Sequence, residues 1–376
     1  MASDVLPGCR CLTCGPAPDA GVRVLVGILS APKSGAKRRA AIRTSWFRWS
    51  TLQSWAGASH QLAPCFVLGS RGLSMRARNG LDGRDTLWLD VDEIGVLSIP
   101  KVLAWWRTAA AAMSHFTHAA KVDDDSYVNV PNLLHALEEA HAAKPTALVF
   151  GPMAFAGYSP ERFRMCGWAW QDLPANWKRQ KCERRGFSPP RKFPLGALQL
   201  LSSNIVRALG SAPDVRAFAD AANASADLRG RESNEDVALG YWIARLAKQM
   251  HLNVTYVSIN DRAPNLGCFR NGGLYRQPLP RHIVIHRIKG AAGMGYVWRT
   301  VHDGAAHDPV ECARQAEIEL PKQALVFSPV FQARLKAGTA SIHFDQKTNR
   351  MQMRFEHAPA GELFRAATRN ATATRS

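Results

Sequence analysis

Lys121-Val122-Asp123-Asp124-Asp125-Ser126-Tyr127-Val128-Asn129 is the stretch on which the reading of the whole chain turns. Its three consecutive carboxylates stand at an element boundary. Behind them is the alanine-rich apolar run Val102–Ala120, which reads as a helix, and ahead is the helix-like Val130–Ala143. So dense a negative charge repels itself unless a cation sits among it. On an extended segment side chains alternate, so Asp123 and Asp125 share one face and Asp124 takes the other. That spacing suits a hard divalent ion with oxygen ligands, Mn²⁺ or Mg²⁺, which keeps open positions for phosphate oxygens. Taken alone, the three aspartates read equally as a solvated acidic turn or a helix cap.

The chain has 376 residues, enough for one large domain or two ordinary ones. Its 46% hydrophobic and 21% charged residues describe a soluble globular protein. Lys and Arg outnumber Asp and Glu by 48 to 30, and the net charge of +18 favours acidic partners: nucleic acid, an anionic membrane, nucleotide-sugars or acidic glycans. No zinc-finger spacing, RRM signature or helix-turn-helix is present, so no nucleic-acid partner is expected. The most apolar run, Val102–Ala120, is interrupted by Arg107, Ser114, His115 and His118, so no membrane span is expected in this chain. Met1–Ala20 is neither apolar nor basic enough for a signal peptide. Its Cys9, Cys11 and Cys14 lack a nearby second pair of ligands for zinc. Asn223, Asn253 and Asn370 open glycosylation sequons, usable only in a secretory compartment.

Gly21–Leu29 is short, apolar and β-branched, and Ser30-Ala31-Pro32 ends it, which predicts a buried parallel strand running into a loop. A basic helix follows over Ala36–Trp46, with Arg39 and Arg43 on one face. A strand, a polar loop and an arginine-bearing helix start make an anion site or a solvated basic face. Further strands are predicted at Cys65–Gly69, Thr86–Asp90, Ala147–Gly151, Leu198–Leu201, Asn253–Ser258 and Arg281–His286, with helices at Asn132–Ala143, Ser203–Leu209 and from Asn234. His115 and His118 are expected at a helix end or on the surface. Alternating strands and helices point to an α/β sheet with its ligand crevice at the strands' carboxyl ends.

Phe155–Pro194 changes character, with Trp168, Trp170 and Trp177 set among lysines and arginines. It suits sugar stacking, a polyanion, or a long loop packed down by its own tryptophans. Cys166 and Cys182 flank it and would staple it in an oxidising compartment. Glu235 and Asp236 begin a helix where the macrodipole favours negative charge, so capping accounts for them locally. Ser341–Phe344 and Met351–Phe355 form a hairpin pattern, and Ala366–Ser376 reads as disordered.

These segments together resemble the β-1,3-glycosyltransferases of glycosyltransferase family 31. The family's R-R-x-A-I-R-x-T-W pattern stands here as Arg38-Arg39-Ala40-Ala41-Ile42-Arg43-Thr44-Ser45-Trp46, preceded by Ser30. Its K-x-D-D-D-x-[FY]-V-N is complete at Lys121–Asn129. Its E-D-V-x-x-G is Glu235–Gly240, and its late histidine and methionine are matched by His286 and Met294. The order agrees from Val22 to about Trp298. Two blocks depart from the family: the glycine-rich Y-P-x-Y…G-G-G-Y-V is Phe193–Ser202 with Ala197 and Leu198 in glycine positions, expected to alter the floor of the sugar pocket, and N-L-T-x-K survives loosely as Val96–Lys101. The family's amino-terminal anchor is not seen.

The resemblance implies a GT-A type fold, a Rossmann-like mixed sheet flanked by helices, over residues 21–305. Residues 1–20 are then a Cys-containing extension, and 306–376 a partly disordered carboxyl-terminal one. It implies an inverting, metal-dependent hexosyltransferase of the β-1,3-galactosyltransferase type, serving protein glycosylation in the Golgi lumen, with a UDP-hexose donor and a glycan or glycoconjugate acceptor. On that template Asp125 is the principal Mn²⁺ ligand (Mg²⁺ the substitute), Asp123 binds the ribose or the metal's water shell, and His286 completes the protein ligands. Ser30, Arg39, Arg43, Lys121 and Asp124 lie at the nucleotide end. Asp236 is the general base, and Glu235 orients it or the acceptor. A catalytically weak relative that binds UDP-sugar or glycan as a module is the alternative, resting on the altered glycine block. A metal-dependent phosphohydrolase would use similar groups.

Overall fold

The computed structural model describes residues 21–50, 61–71, 73–74, 85–92, 99–143, 145–170, 182–224, 234–268, 275–316, 340–345 and 350–355. Cys9, Cys11, Cys14, Trp177, Asn370 and the stretch 366–376 lie outside them.

The chain opens with β1 (Arg23–Leu29), α1 (Ala36–Arg43), β2 (Gln61–Arg71), β3 (Thr86–Asp92), α2 (Ile99–Ala111) and β4 (His118–Asp123). After the aspartates come β5 (Tyr127–Val128), α3 (Val130–Ala142), β6 (Ala147–Gly151), β7 (Met153–Ser159), β8 (Arg164–Trp170), β9 (Arg191–Pro194) and β10 (Gln199–Ser202). Then follow α4 (Ser203–Ser211), α5 (Pro213–Ala224), α6 (Glu235–Gln249), β11 (Val254–Ser258), β12 (Asn265–Leu266), β13 (Tyr275–Arg276), β14 (Val284–Ile285), α7 (Ala291–His302) and α8 (Pro309–Ala316). The predicted late hairpin is present as β15 (Ala340–Asp345) paired antiparallel with β16 (Arg350–Phe355).

Seven strands form one mixed sheet in the order β11-β6-β10-β4-β1-β2-β3. All neighbours are parallel except β10, which runs against both β4 and β6. This is the flanked α/β sheet of GT-A type that the sequence leads one to expect. Strand alternation divides the core between its faces. Leu25 and Leu29 of β1 pack with Trp105, Trp106, Phe218 and Trp242 from α2, α5 and α6. Val24, Val26 and Ile28 pack with Leu133, Leu137, Val297 and Cys312 from α3, α7 and α8. Gly27 interrupts β1 because the Trp105 indole lies flat against it: a Cβ there would stand 2.4 Å from the ring. The packed body continues through α8, whose Cys312 is bonded to Cys268, while Gly290 donates to the Ala316 carbonyl.

Three readings of the sequence are corrected. Val102–Ala120 is not one helix: α2 ends at Ala111, and His118–Ala120 already belong to β4. Alanine is the best helix former and is sparse in strands, so the alanine-rich run draws the helix reading into β4. His118 is accordingly a buried strand residue, 2% exposed, rather than a surface one. Phe155–Pro194 is not a simple long loop, since β7, β8 and β9 form a separate antiparallel sheet in the order β8-β7-β9. The expected Cys166–Cys182 disulfide ties that sheet to its own connection. Among the described residues no helix is long and apolar enough to cross a membrane.

His118 generates an acid dependence of stability. Burial, with a smaller contribution from His141, pushes its pKa down to about 4 from the ordinary 6.5. The folded imidazole is therefore neutral where the unfolded one takes up a proton. Its contribution is complete above pH 6.5 and is lost as pH falls towards 4, amounting to about 3 kcal/mol over the interval. Replacing it by His118→Asn should flatten that limb in denaturant titrations at stepped pH. Equal slopes for the two proteins would contradict the assignment.

Candidate active site

The parallel register sets Leu29 of β1 opposite Asp123 of β4, so both strands leave the sheet at the same edge. β1 delivers Ser30 there, and β4 delivers the aspartates. Asp124 turns towards β1, accepting from Ser30 Oγ at 2.7 Å and from Arg38 Nη1 at 2.8 Å. Its burial raises the carboxyl pKa more than these two partners lower it. Gly35 makes the close approach possible, because a Cβ would lie 2.1 Å from Ser30 Oγ and 2.9 Å from Asp124 Oδ2.

Arg39 is buried under this loop. Its Nη1 donates to Ser30 Oγ at 3.0 Å and to the Ala31 carbonyl, and its Nη2 to the Pro32 carbonyl at 2.7 Å. Arg43 forms a bidentate pair with Asp85 at 2.7 and 2.8 Å and lies over the Phe66 ring. Both arginines thus brace α1 and its loop, Arg39 through the Ser30 hydroxyl that itself donates to Asp124. Lys101, fully buried on α2, donates to the Ser30 carbonyl at 2.6 Å.

Asp123 and Asp125 turn the other way, as alternation anticipated, although β4 ends at Asp123. There they meet His286, whose Nε2 lies 3.5 Å from Asp123 Oδ2 and 3.1 Å from Asp125 Oδ1. The antiparallel pairing of β14 with β5, Ile285 opposite Tyr127, carries the histidine to this place. Arg287 follows in the left-handed region at φ 61°, and the Ile288 N–H returns to the Asp125 carbonyl at 2.9 Å. Asn265 Oδ1 lies 3.2 Å from His286 Nδ1. An Nδ1–H donating to that oxygen is the supporting hydrogen bond that a ligating histidine usually makes, and it leaves Nε2 as the atom available to a cation. Lys289 Nζ also reaches Asp125 Oδ2, at 3.0 Å.

Asp123, Asp125 and His286 each offer one donor atom, and the three atoms lie within 4.8 Å of one another. Two carboxylate oxygens and an anchored imidazole fit a divalent cation. Burial opposes charge on His286, but its contacts with Asp123 and Asp125 outweigh that and raise its pKa to about 9. Burial likewise works to raise Asp125, and His286 with Lys289 overrides it, leaving the group well below the usual carboxylate range.

On the far side of Asp123 stands Lys121, fully buried. Its Nζ is 2.7 Å from Asp123 Oδ1, 3.6 Å from Glu235 Oε1 and 3.6 Å from Asp236 Oδ1. β10 makes this convergence, placing Gln199 opposite Lys121 in the antiparallel ladder. The Asp236 carboxylate accepts from the Gly196 N–H at 2.8 Å and from Gln199 Nε2 at 2.6 Å, while the Asp123 N–H donates to the Gly196 carbonyl at 3.2 Å. A Cβ on Gly196 would sit 2.5 Å from Asp123 Oδ2 and 2.7 Å from Lys121 Nζ, so only glycine fits between them.

Burial lowers the Lys121 pKa, yet Asp123, Asp236 and Glu235 together raise it above its ordinary value, so it stays charged. Glu235 is pushed far up by burial and then by Asp236, with Lys121 opposing. Burial raises Asp236 too, again against Lys121. Glu235 is the more enclosed, its side chain 7% exposed against 21% for Asp236. Both carboxyls of the pair are thus shifted upward, Glu235 further than Asp236, and Asp236 is the one with the greater access to solvent.

All the residues singled out from sequence gather at this edge except Arg39 and Arg43, which stand behind it. Sequence reasoning missed Gln199, Asn265, Lys289 and the bridging position of Lys121. Lys289 follows His286 by three positions and Gln199 lies in the altered glycine block, whereas Asn265 carries no local signal. In the altered block, Ala197 and Leu198 bury their side chains in the core cluster that also holds Val24, Val26 and Ile28.

The galactosyltransferase family profile matches residues 37–251. No curated protein matches the chain. Solved structures are similar to it at low identity. Mannose-1-phosphate geranyltransferase from Thermus thermophilus has a TM-score of 0.27 and 11% identity, covering 66% of this chain and 82% of its own. A glycosyltransferase involved in glycosylation of the major capsid of PBCV-1 has 0.35 and 8%, covering 74% and 98%. Core-mannan synthase A from Aspergillus fumigatus, in its Mn/GDP form, has 0.32 and 6%, covering 68% and 76%. The profile match takes in more than half the chain, including the three aspartates and the Glu235–Asp236 pair, and so the chain belongs to the galactosyltransferase family.

Proposed function

We propose that this glycosyltransferase moves a hexose from UDP-hexose to a hydroxyl of a glycan or glycoconjugate, inverting the anomeric centre and forming a β-1,3 linkage. The observation that supports this most is the Lys121 ammonium, 2.7 Å from Asp123 and 3.6 Å from both Glu235 and Asp236. It makes the cation-binding end and the acid pair parts of one constellation, as a reaction needs when it expels a nucleotide and deprotonates an acceptor together.

Asp123, Asp125 and His286 would hold the metal, Mn²⁺ before Mg²⁺ because one donor is an imidazole nitrogen. When bound, the ion supplies positive charge against the departing diphosphate. Ser30, Asp124 and Arg38 fix the loop at the nucleotide end, and Arg39 and Arg43 keep that loop and α1 in place. Asp236, held by the Gly196 N–H and Gln199, receives the acceptor hydroxyl proton as that oxygen attacks C1. The C1–O bond to UDP breaks with its electron pair leaving on UDP. Glu235 keeps its own proton, so the ionised carboxylate at the site stays on Asp236. The Cys166–Cys182 and Cys268–Cys312 disulfides favour an oxidising compartment, which supports the Golgi lumen as its location. The burial of Ala197 and Leu198 in the core supports transfer over the binding-module alternative.

UDP release from a panel of UDP-hexoses with simple acceptor glycosides, in Mn²⁺ and in chelator, tests the proposal. Transfer should require metal and one donor–acceptor pair. Asp236→Asn should lower transfer by about 10²–10⁴-fold, the usual worth of a positioned base, while leaving Mn²⁺–UDP affinity intact. Turnover at the wild-type rate would sink the base assignment. By calorimetry, Asp125→Ala should abolish the Mn²⁺-dependent part of UDP affinity, and a metal-dependent affinity equal to wild type would count against the ligand set.

A further inference from the structure

Trp168 is 44% exposed, a rare state for the largest side chain, whereas Trp46, Trp105, Trp106 and Trp242 are buried. Its ring stands edge-on to Phe193, with centroids 5.3 Å apart at 74°. Phe193 is buried against Gly240 so closely that a Cβ on that glycine would lie 2.3 Å from the Phe193 Cβ. Gly240 is one turn of α6 beyond Asp236. Three residues after Phe193 comes Gly196, which donates to Asp236. Trp168 is thereby linked to Asp236 through Phe193 and one turn of α6.

A basic turn is tied to the same strand. The Cys166–Cys182 disulfide, with Cα atoms 5.7 Å apart, ties the turn at 182–187 to the strand that bears Trp168. That turn closes on the Cys182 carbonyl, which accepts from the N–H of Arg185 at 3.0 Å and of Phe187 at 3.1 Å. Arg162 and Arg185 both lie over the Phe187 ring, 5.6 and 6.0 Å from its centroid, and Arg162 Nη1 donates to the Arg185 carbonyl at 2.8 Å. Two exposed guanidinium groups converge on one ring, and neither is ion-paired with a carboxylate among the described residues. Like charges gathered in this way favour an anion between them, and guanidinium forks match carboxylate and sulfate.

We infer that Trp168 and the Arg162–Arg185 pair form an acceptor subsite for an anionic oligosaccharide, the tryptophan stacking on a sugar ring and the arginines pairing its carboxylate or sulfate. This deepens the proposed transfer reaction and rests on it for the word acceptor.

Calorimetric titration of the full chain with three hexasaccharides tests it: chondroitin sulfate, hyaluronan, which carries carboxylates alone, and uncharged chitohexaose. At least one anionic hexasaccharide should bind about tenfold or more tighter than chitohexaose, the worth of one charge-assisted pair. Sulfate is the group recognised if chondroitin sulfate alone is preferred, and carboxylate if hyaluronan matches it. Trp168→Ala should weaken the preferred ligand about tenfold. Arg162→Ser with Arg185→Ser should erase the anionic preference, with thermal melts confirming the fold. Equal wild-type affinities for all three overturn the inference without any variant. So does polyanion binding that Trp168→Ala leaves intact and single-stranded DNA displaces. UDP release in Mn²⁺ from the panel of UDP-hexoses with simple acceptor glycosides, recorded in parallel, separates the two readings. Release without anionic preference removes the subsite alone, and preference without release withdraws the transferase reading and leaves a glycan site.

Discussion

A buried ammonium has to be paired, because removing it from water costs several kcal/mol that only close carboxylates offset. Lys121 is such a group, and the site is assembled around it. Asp123 forms the closest ion pair with it at 2.7 Å, and Glu235 and Asp236 stand at 3.6 Å. Burial, and with it the excess of negative charge that three carboxylates around one cation leave, shifts Glu235 and Asp236 upward. Lys121 pulls against burial in all three carboxylates and, with His286, holds Asp123 below its ordinary value, so one ammonium acts on both halves.

The sheet topology makes this pairing possible. β1 and β4 end together, so the loop after β1 meets the aspartates, with Gly35 giving room for Ser30 and Asp124. The reversed strand β10 lies between β4 and β6, so the segment entering it, not leaving it, comes to the carboxyl edge of β4. That entry carries Gly196 and Gln199, both bound to Asp236 at the start of α6. A negative carboxylate at a helix amino terminus is favoured by the macrodipole in any case. Local preference and tertiary demand agree there, which is the condition for a rigid site.

Several of these features were legible in the sequence. The strands β1, β2, β3, β6, β10 and β11 announce themselves as short apolar runs bounded by turn residues, and the three aspartates and the Glu235–Asp236 pair carry their chemistry in their spacing. The α2–β4 boundary did not, because alanine favours helix and the run continues into the strand, and His118 was misplaced with it. The β7–β8–β9 sheet was masked by glycines and tryptophans that break alternation. Arg39 and Arg43 were visible as a basic helix face, but their partners, the Ala31 and Pro32 carbonyls and Asp85, are set by the fold. Lys121 shows the same limit: its pairing with Glu235 and Asp236 joins residues far apart along the chain, and no local pattern encodes that.

The claim that the cation-binding half and the acid pair are one electrostatic unit is tested most directly by a double-mutant cycle in denaturant stability on Asp123→Asn and Asp236→Asn. Two carboxylates that share one buried ammonium should be non-additive, with a coupling energy of about 1 kcal/mol or more. Additivity within experimental error would show that Lys121 does not join the two halves.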